Sequence, residues 1–130
     1  MIKEIAIDGL HIHDIASFYE EINRVFMSDE DWKIGNSLDA FNDLLYGGFG
    51  AMKDCEKVRF VWKNVERMQE ALGYKATKAY YEDKLQQGAL FNKEYFREKL
   101  IALENGIGET YFEMLKSIVA AHKNIDLVLV

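Results

Sequence analysis

Three histidines, one cysteine, a glycine-rich tetrad and a pair of aspartates are the features of this 130-residue sequence that invite a chemical reading. The histidines are His11, His13 and His122. A zinc centre needs three or four ligands, and no third ligand of obvious spacing follows His11 and His13. No metal is therefore expected, and the histidines read as exposed residues without a role. Cys55 is the single cysteine, so it has no internal disulfide partner and reads as a partly buried structural thiol. The tetrad GGFG at 47–50 lacks the strand-to-helix setting of a dinucleotide fingerprint, and there is no Walker loop. No cofactor is expected, and an enzyme built on Cys55 or a histidine is the weakest of the readings open here.

The aspartates carry more. They sit in GNSLDAFNDLL, residues 35–45. At a period of about 3.6 residues, Leu38, Phe41, Leu44 and Leu45 share one side of a helix, leaving Asp39, Asn42, Asp43 and Tyr46 on the other. Asp39 belongs to the first turn, where the helix dipole favours a negative charge. Asp43 lies toward the carbonyl end, where it does not, and it repels Asp39 from four residues away. Neither has a basic neighbour in the segment. An unneutralised acidic strip, with Tyr46 on it and Trp32 and Phe49 near it, has the make-up of an interface rather than of catalytic machinery.

The elements that must position this strip follow from periodicity and capping. IKEIAID alternates apolar and polar residues and predicts a strand ended by Gly9. HDIASFYEEINRVF is helical, capped by Asp14 or by Ser17, the latter making a capping box with Glu20. MSDEDWKIGN is a loop, and Ser37 caps a short helix from Leu38 to about Tyr46 that Gly47 and Gly48 stop. KVRFVW is a second strand, and VERMQEALG a helix with Asn64 as its cap. TKAYYEDKLQQG and NKEYFREKLIALENG are two further helical patterns, and ETYFEMLKSIVAAHK is an amphipathic helix. NIDLVLV is a third strand whose run from Leu127 to Val130 suggests burial on both faces. Strands separated by helices predict an α/β domain with a small parallel sheet covered by helices.

Charge narrows the partner. From Asp8 to Asp43 there are nine acids against two bases, Arg24 and Lys33, while the net charge of the whole chain is −6. An acidic field confined to the first third disfavours nucleic acid and anionic membranes as direct partners. It suits a basic partner, or simply keeps the protein soluble. The apolar runs are too short to span a bilayer, and Glu4 and Asp8 interrupt the first of them, so no signal peptide is expected. A cytoplasmic location is the expectation, which the lone cysteine fits.

Three blocks resemble the barstar family of intracellular ribonuclease inhibitors. The first runs from IDG at 7–9 to GNSLDAFNDLL, the second is VWKNVERMQEAL at 61–72, and the third is ETYFEMLKSIVAAHKNIDLVLV. The resemblance implies three parallel strands in the order 1-2-3 in a single domain, with residues of about 74–108 as a helical insertion. It also implies a function: the short helix and the loop before it plug the cationic active site of a basic ribonuclease, with carboxylates where RNA phosphate would sit. On that basis Asp39 and Asp43 match the family's two acids, Gly35 its loop glycine and Gly47 the glycine after the helix. Departures accompany the match. Asn42 stands where the family has an aromatic between the acids, Trp32 lies upstream of the usual loop aromatic, and Gly48, next to Phe49, replaces another. Ser117 replaces an acid of the last helix, with Glu113 one turn earlier. The expected partner surface is Asp39, Asp43, Trp32, Gly35, Asn42, Tyr46 and Phe49. A fold of this kind with a non-nuclease protein partner is the alternative.

Overall fold

In the computed structural model, which describes residues 2–87 and 92–130, the sheet has three parallel strands in the order β1-β2-β3. They are β1 (Lys3–Asp8), β2 (Val58–Lys63) and β3 (Ile125–Leu129). Helices α1 (Ile15–Phe26) and α2 (Leu38–Leu45) lie between β1 and β2. Helices α3 (Val65–Ala71), α4 (Tyr74–Gln86), α5 (Lys93–Glu104) and α6 (Tyr111–Ala120) lie between β2 and β3. Gly88, which closes one of the helical patterns read from the sequence, lies outside the described residues.

The register stacks apolar side chains in columns across the sheet. Ile5 pairs with Phe60 and Phe60 with Leu127, while Ile7 pairs with Trp62 and Trp62 with Leu129. Helices bury this face: Phe26 of α1 meets the Phe60 ring edge-on at 5.2 Å, and Phe112 of α6 meets Trp62 at 5.6 Å. The opposite face is largely open, with Glu4 and Arg59 3.9 Å apart on it. The expectation that Leu127–Val130 is buried on both faces is therefore incorrect. Leu129 and Val130 are exposed and Leu127 and Val128 half-buried. The central strand β2 buries more: Val58, Phe60 and Trp62 on the covered face, and Val61 on the other, where Arg59 and Lys63 are exposed. An edge strand of the same composition keeps one flank and one face in water.

One cap is decided between the two candidates, and another differs from expectation. Asp14, not Ser17, is the N-cap of α1: its carboxylate accepts from the Ser17 N–H, and the Ser17 hydroxyl accepts from the Asp14 N–H. Ser17 is thus the third helical residue of the box and Glu20 is outside it. Asn64 does stand before α3, but in a left-handed conformation with φ 53°, and its side chain makes no cap. It donates instead to Asp8 Oδ1 at 2.8 Å, tying the ends of β1 and β2 together. The strand ends come so close there that a Cβ on Gly9 would lie 2.3 Å from the Asn64 carbonyl oxygen, so glycine is required.

Candidate functional site

Helix α2 forms as the sequence predicts. The Ser37 hydroxyl accepts from the Ala40 N–H at 3.1 Å, and Phe41, Leu44 and Leu45 are buried in the core. Its end is set by Gly47 at φ +87°, a backbone state that strains any L side chain. Asp39 and Asp43 are exposed on the outer face. Among the described residues neither carboxylate accepts a hydrogen bond or pairs with a cation. Tyr46, at 74 % exposure, continues the strip, and Asn42, between the acids in sequence, is half-buried.

The loop before α2 is anchored by a residue the sequence reading missed. Buried Asn23 of α1 accepts from the Ile34 N–H at 2.9 Å and donates to the Ile34 carbonyl at 3.3 Å. This holds the segment that carries Trp32 and Gly35 against α1. Trp32 and Phe49, on opposite sides of α2 in sequence, come together with ring centroids 4.8 Å apart. Beside them the Glu30 carboxylate accepts from the Gly50 N–H at 2.8 Å. Gly35 is exposed, and a Cβ there would meet nothing among the described residues within 4 Å.

The acidic field divides once its members are placed. Glu21 is buried, accepting from the Asp8 N–H at 2.8 Å, from two nitrogens of Arg24 at 2.8 and 2.9 Å, and lying 3.0 Å from His11 Nδ1. Burial alone would raise its pKa, but the bonds from Arg24, Asp8 and His11 outweigh it and hold the carboxyl below its ordinary value. Asp8 and Asp14 are also lowered, first by the backbone N–H groups they accept from. These three acids are spent on the fold. The free negative charge of the strip is that of Asp39 and Asp43.

His122 overturns the reading of the histidines as exposed and without a role. His11 and His13 are exposed, though His11 is bound to Glu21, but His122 is only 7 % exposed. Its Nε2 lies 2.7 Å from Asn42 Oδ1, and its ring meets that of Tyr46 edge-on at 4.7 Å. Burial lowers its pKa, so the ring is neutral at pH 7. The signal was present in the sequence: Tyr111, Leu115, Val119 and His122 continue one stripe at spacings of four, four and three. A polar residue on that stripe points to burial with a partner.

Around the strip, α4 packs on α6. Tyr80 stacks edge-on with Tyr111 at 5.2 Å, and the buried Thr77 hydroxyl accepts from the Tyr111 N–H at 2.7 Å. The phenol of Tyr80 is raised by burial, then by Tyr95 and by Asp39. On α6 Glu113 is held in a capping box with Thr110, whereas the Ser117 hydroxyl faces the Glu109 carboxylate at 3.4 Å. The exposed acid beside Ser117 is thus Glu109.

Among the described residues no group of three or more His, Cys, Asp or Glu is placed to hold a metal, and no helix is long and apolar enough to cross a membrane. No curated protein matches the chain. A family model described as Barstar (barnase inhibitor) matches residues 2–98, ending within α5, so that α6 and β3 lie beyond the match. With that match spanning most of the chain and the parallel 1-2-3 sheet in place, the protein belongs to the Barstar family, whose members inhibit an enzyme and are not enzymes themselves.

Proposed function

We propose that this protein inhibits a basic ribonuclease by laying α2 and the loop before it into the enzyme's cationic active site. The observation that carries the reading is the pair of exposed carboxylates, Asp39 and Asp43, on one face of a short, firmly seated helix, with no ion pair to either among the described residues. A ribonuclease that binds RNA phosphate supplies the missing positive charge, and each charge pair gains as water leaves the interface. Trp32, Phe49, Tyr46, Asn42 and Gly35 border the acids and form the rest of the proposed surface. The α4–α5 pair belongs to the same domain as an insertion over about 74–108, and its Tyr80 extends the surface beyond α2. The protein acts in the cytoplasm of the cell that makes the ribonuclease.

The test uses barnase as the probe, together with any ribonuclease that co-purifies with the protein. Wild type suppresses RNA cleavage. Asp43→Ala strands an enzyme cation in a buried interface, a cost of about 3–5 kcal/mol, or roughly a hundredfold to several thousandfold in affinity. An Asp43→Ala protein that inhibits as well as wild type sinks the proposal, as does a wild type that leaves all these enzymes active. Asn42, standing where the family has an aromatic, favours a second reading in which the partner is a different protein. A wild-type partner with no RNA-cleaving activity, lost on Asp43→Ala, would decide for it.

A further inference from the structure

We infer that His122 is a positioning residue that fixes the Asn42 side chain as a hydrogen-bond donor beside the two proposed recognition carboxylates. The inference rests on the proposed surface and adds to it what the partner must present there: an acceptor, such as a main-chain carbonyl or a carboxylate, beside its cations.

The main chain of His122 is fixed. Its backbone N–H donates to the Val119 carbonyl at 3.0 Å, and its backbone carbonyl accepts from the Ile125 N–H at 3.1 Å, so the turn from α6 into β3 is closed on both sides. The ring is buried, neutral at pH 7 and seated against Tyr46. Its Nε2 lies 2.7 Å from Asn42 Oδ1. A carbonyl oxygen only accepts, so this contact requires the Nε2–H tautomer.

A hydrogen bond alone would tolerate the reverse arrangement, with the amide turned over and Nε2 unprotonated. The surroundings decide between the two. Asp39 and Asp43 flank Asn42 on the same helix. An amide oxygen turned outward would add a third acceptor to two unneutralised carboxylates. The amide NH₂ turned outward puts donor hydrogens beside them, which is the favourable orientation. The strip therefore presents a donor, Asn42, beside the two acceptors Asp39 and Asp43. An aromatic residue at position 42 could not supply that amide donor, so the His122–Asn42 pair specifies a partner different in this one respect.

The first experiment needs no partner. ¹⁵N NMR of the imidazole at pH 7 reads the tautomer directly. Nε2–H is expected in wild type, with the Nε2 resonance moving in Asn42→Ala. A predominant Nδ1–H tautomer means the amide faces the other way and overturns the inference. The second uses barnase and, where one co-purifies, the cognate ribonuclease. His122→Phe keeps a ring against Tyr46 but removes the bond, and should weaken inhibition roughly 3- to 10-fold. His122→Gln, which can donate to the same oxygen, should restore most of it. In an Asn42→Ala background His122→Phe should have no further effect. An equal loss in both backgrounds means a purely structural role and overturns the inference. Full inhibition by Asn42→Ala, with Asp43→Ala inactive, removes the donor while leaving the ribonuclease-inhibitor reading intact. Full inhibition by Asp43→Ala removes that reading itself.

Discussion

Replacing Asp39 or Asp43 by asparagine separates what α2 needs from what the proposed partner needs. Asparagine has nearly the helix propensity of aspartate, so the exchange isolates charge. Neither Asp39 nor Asp43 has a side-chain partner among the described residues, so no hydrogen bond is lost with it. Asp43→Asn removes two unfavourable terms: repulsion from Asp39, about 0.2–0.5 kcal/mol, and a negative charge in the last turn, about 0.3–1 kcal/mol. The free protein should become more stable by about 0.5–1.5 kcal/mol. Asp39→Asn removes the same repulsion but gives up the favourable first-turn charge, and should lie between a slight gain and a loss of about 0.8 kcal/mol. Repulsion cancels in the comparison, so the two variants should differ by the dipole contributions alone, about 0.6–2 kcal/mol. Urea unfolding at pH 7 measures this, and the gap should shrink in about 1 M salt, where the screening length falls to about 3 Å. Asp43→Asn proving less stable than Asp39→Asn, or than wild type, would refute the reasoning. Both should inhibit the ribonuclease more weakly, so the more stable variant is also a poorer inhibitor.

Acid should unfold the protein through the carboxylates spent on the fold. Glu21, Asp8 and Asp14 are held below their ordinary values of 4.5, 3.8 and 3.8, so their stabilisation is complete above those values and is lost as pH falls through the lowered ones. Stability against pH should therefore drop below about pH 4, and Glu21→Gln should flatten that limb. His122, lowered by burial, adds an earlier loss that begins as pH falls below its ordinary 6.5 and is absent in His122→Phe. Asn23→Ala leaves the buried Ile34 N–H unsatisfied and should cost about 1–3 kcal/mol in denaturant unfolding, with inhibition weakened because the Trp32 loop loses its anchor. Gly47→Ala must adopt φ +87° against a Met52 carbonyl 3.0 Å from its Cβ, and should cost about 1 kcal/mol or more by the same measurement.

The parts of this fold legible in the sequence are those whose information is local. The face of α2 follows from the spacing of Leu38, Phe41, Leu44 and Leu45, and its start from Ser37. What the sequence leaves open depends on distant neighbours. NIDLVLV carries nothing to say whether it lies at the centre or the edge of a sheet; that is decided by which strands pair, and β3 has only β2 beside it. Asp14 and Ser17 can each cap α1, and the usual box pattern favours Ser17 with Glu20, yet the folded chain uses Asp14 with Ser17. His122 could be placed on the α6 stripe, but its bond to Asn42 joins residues 80 positions apart. Of the surface, the strip on α2 was readable as a unit, whereas the pairing of Trp32 with Phe49 and the anchoring by Asn23 required the fold.

That pairing bears on how fast the protein works. An eight-residue helix is marginal in isolation, yet here its flanking segments are joined twice, by the Trp32–Phe49 rings and by Glu30 on the Gly50 N–H. Ordering a loose side chain at an interface costs about 0.5–1.5 kcal/mol each, and much of that cost is already met in the free protein. On the proposed reading, recognition then needs no slow rearrangement after encounter. The association rate is left to diffusion and to the field of Asp39 and Asp43, and should fall with added salt. Loosening the clasp with Trp32→Ala would chiefly shorten the lifetime of the complex, whereas neutralising either acid would also slow its formation.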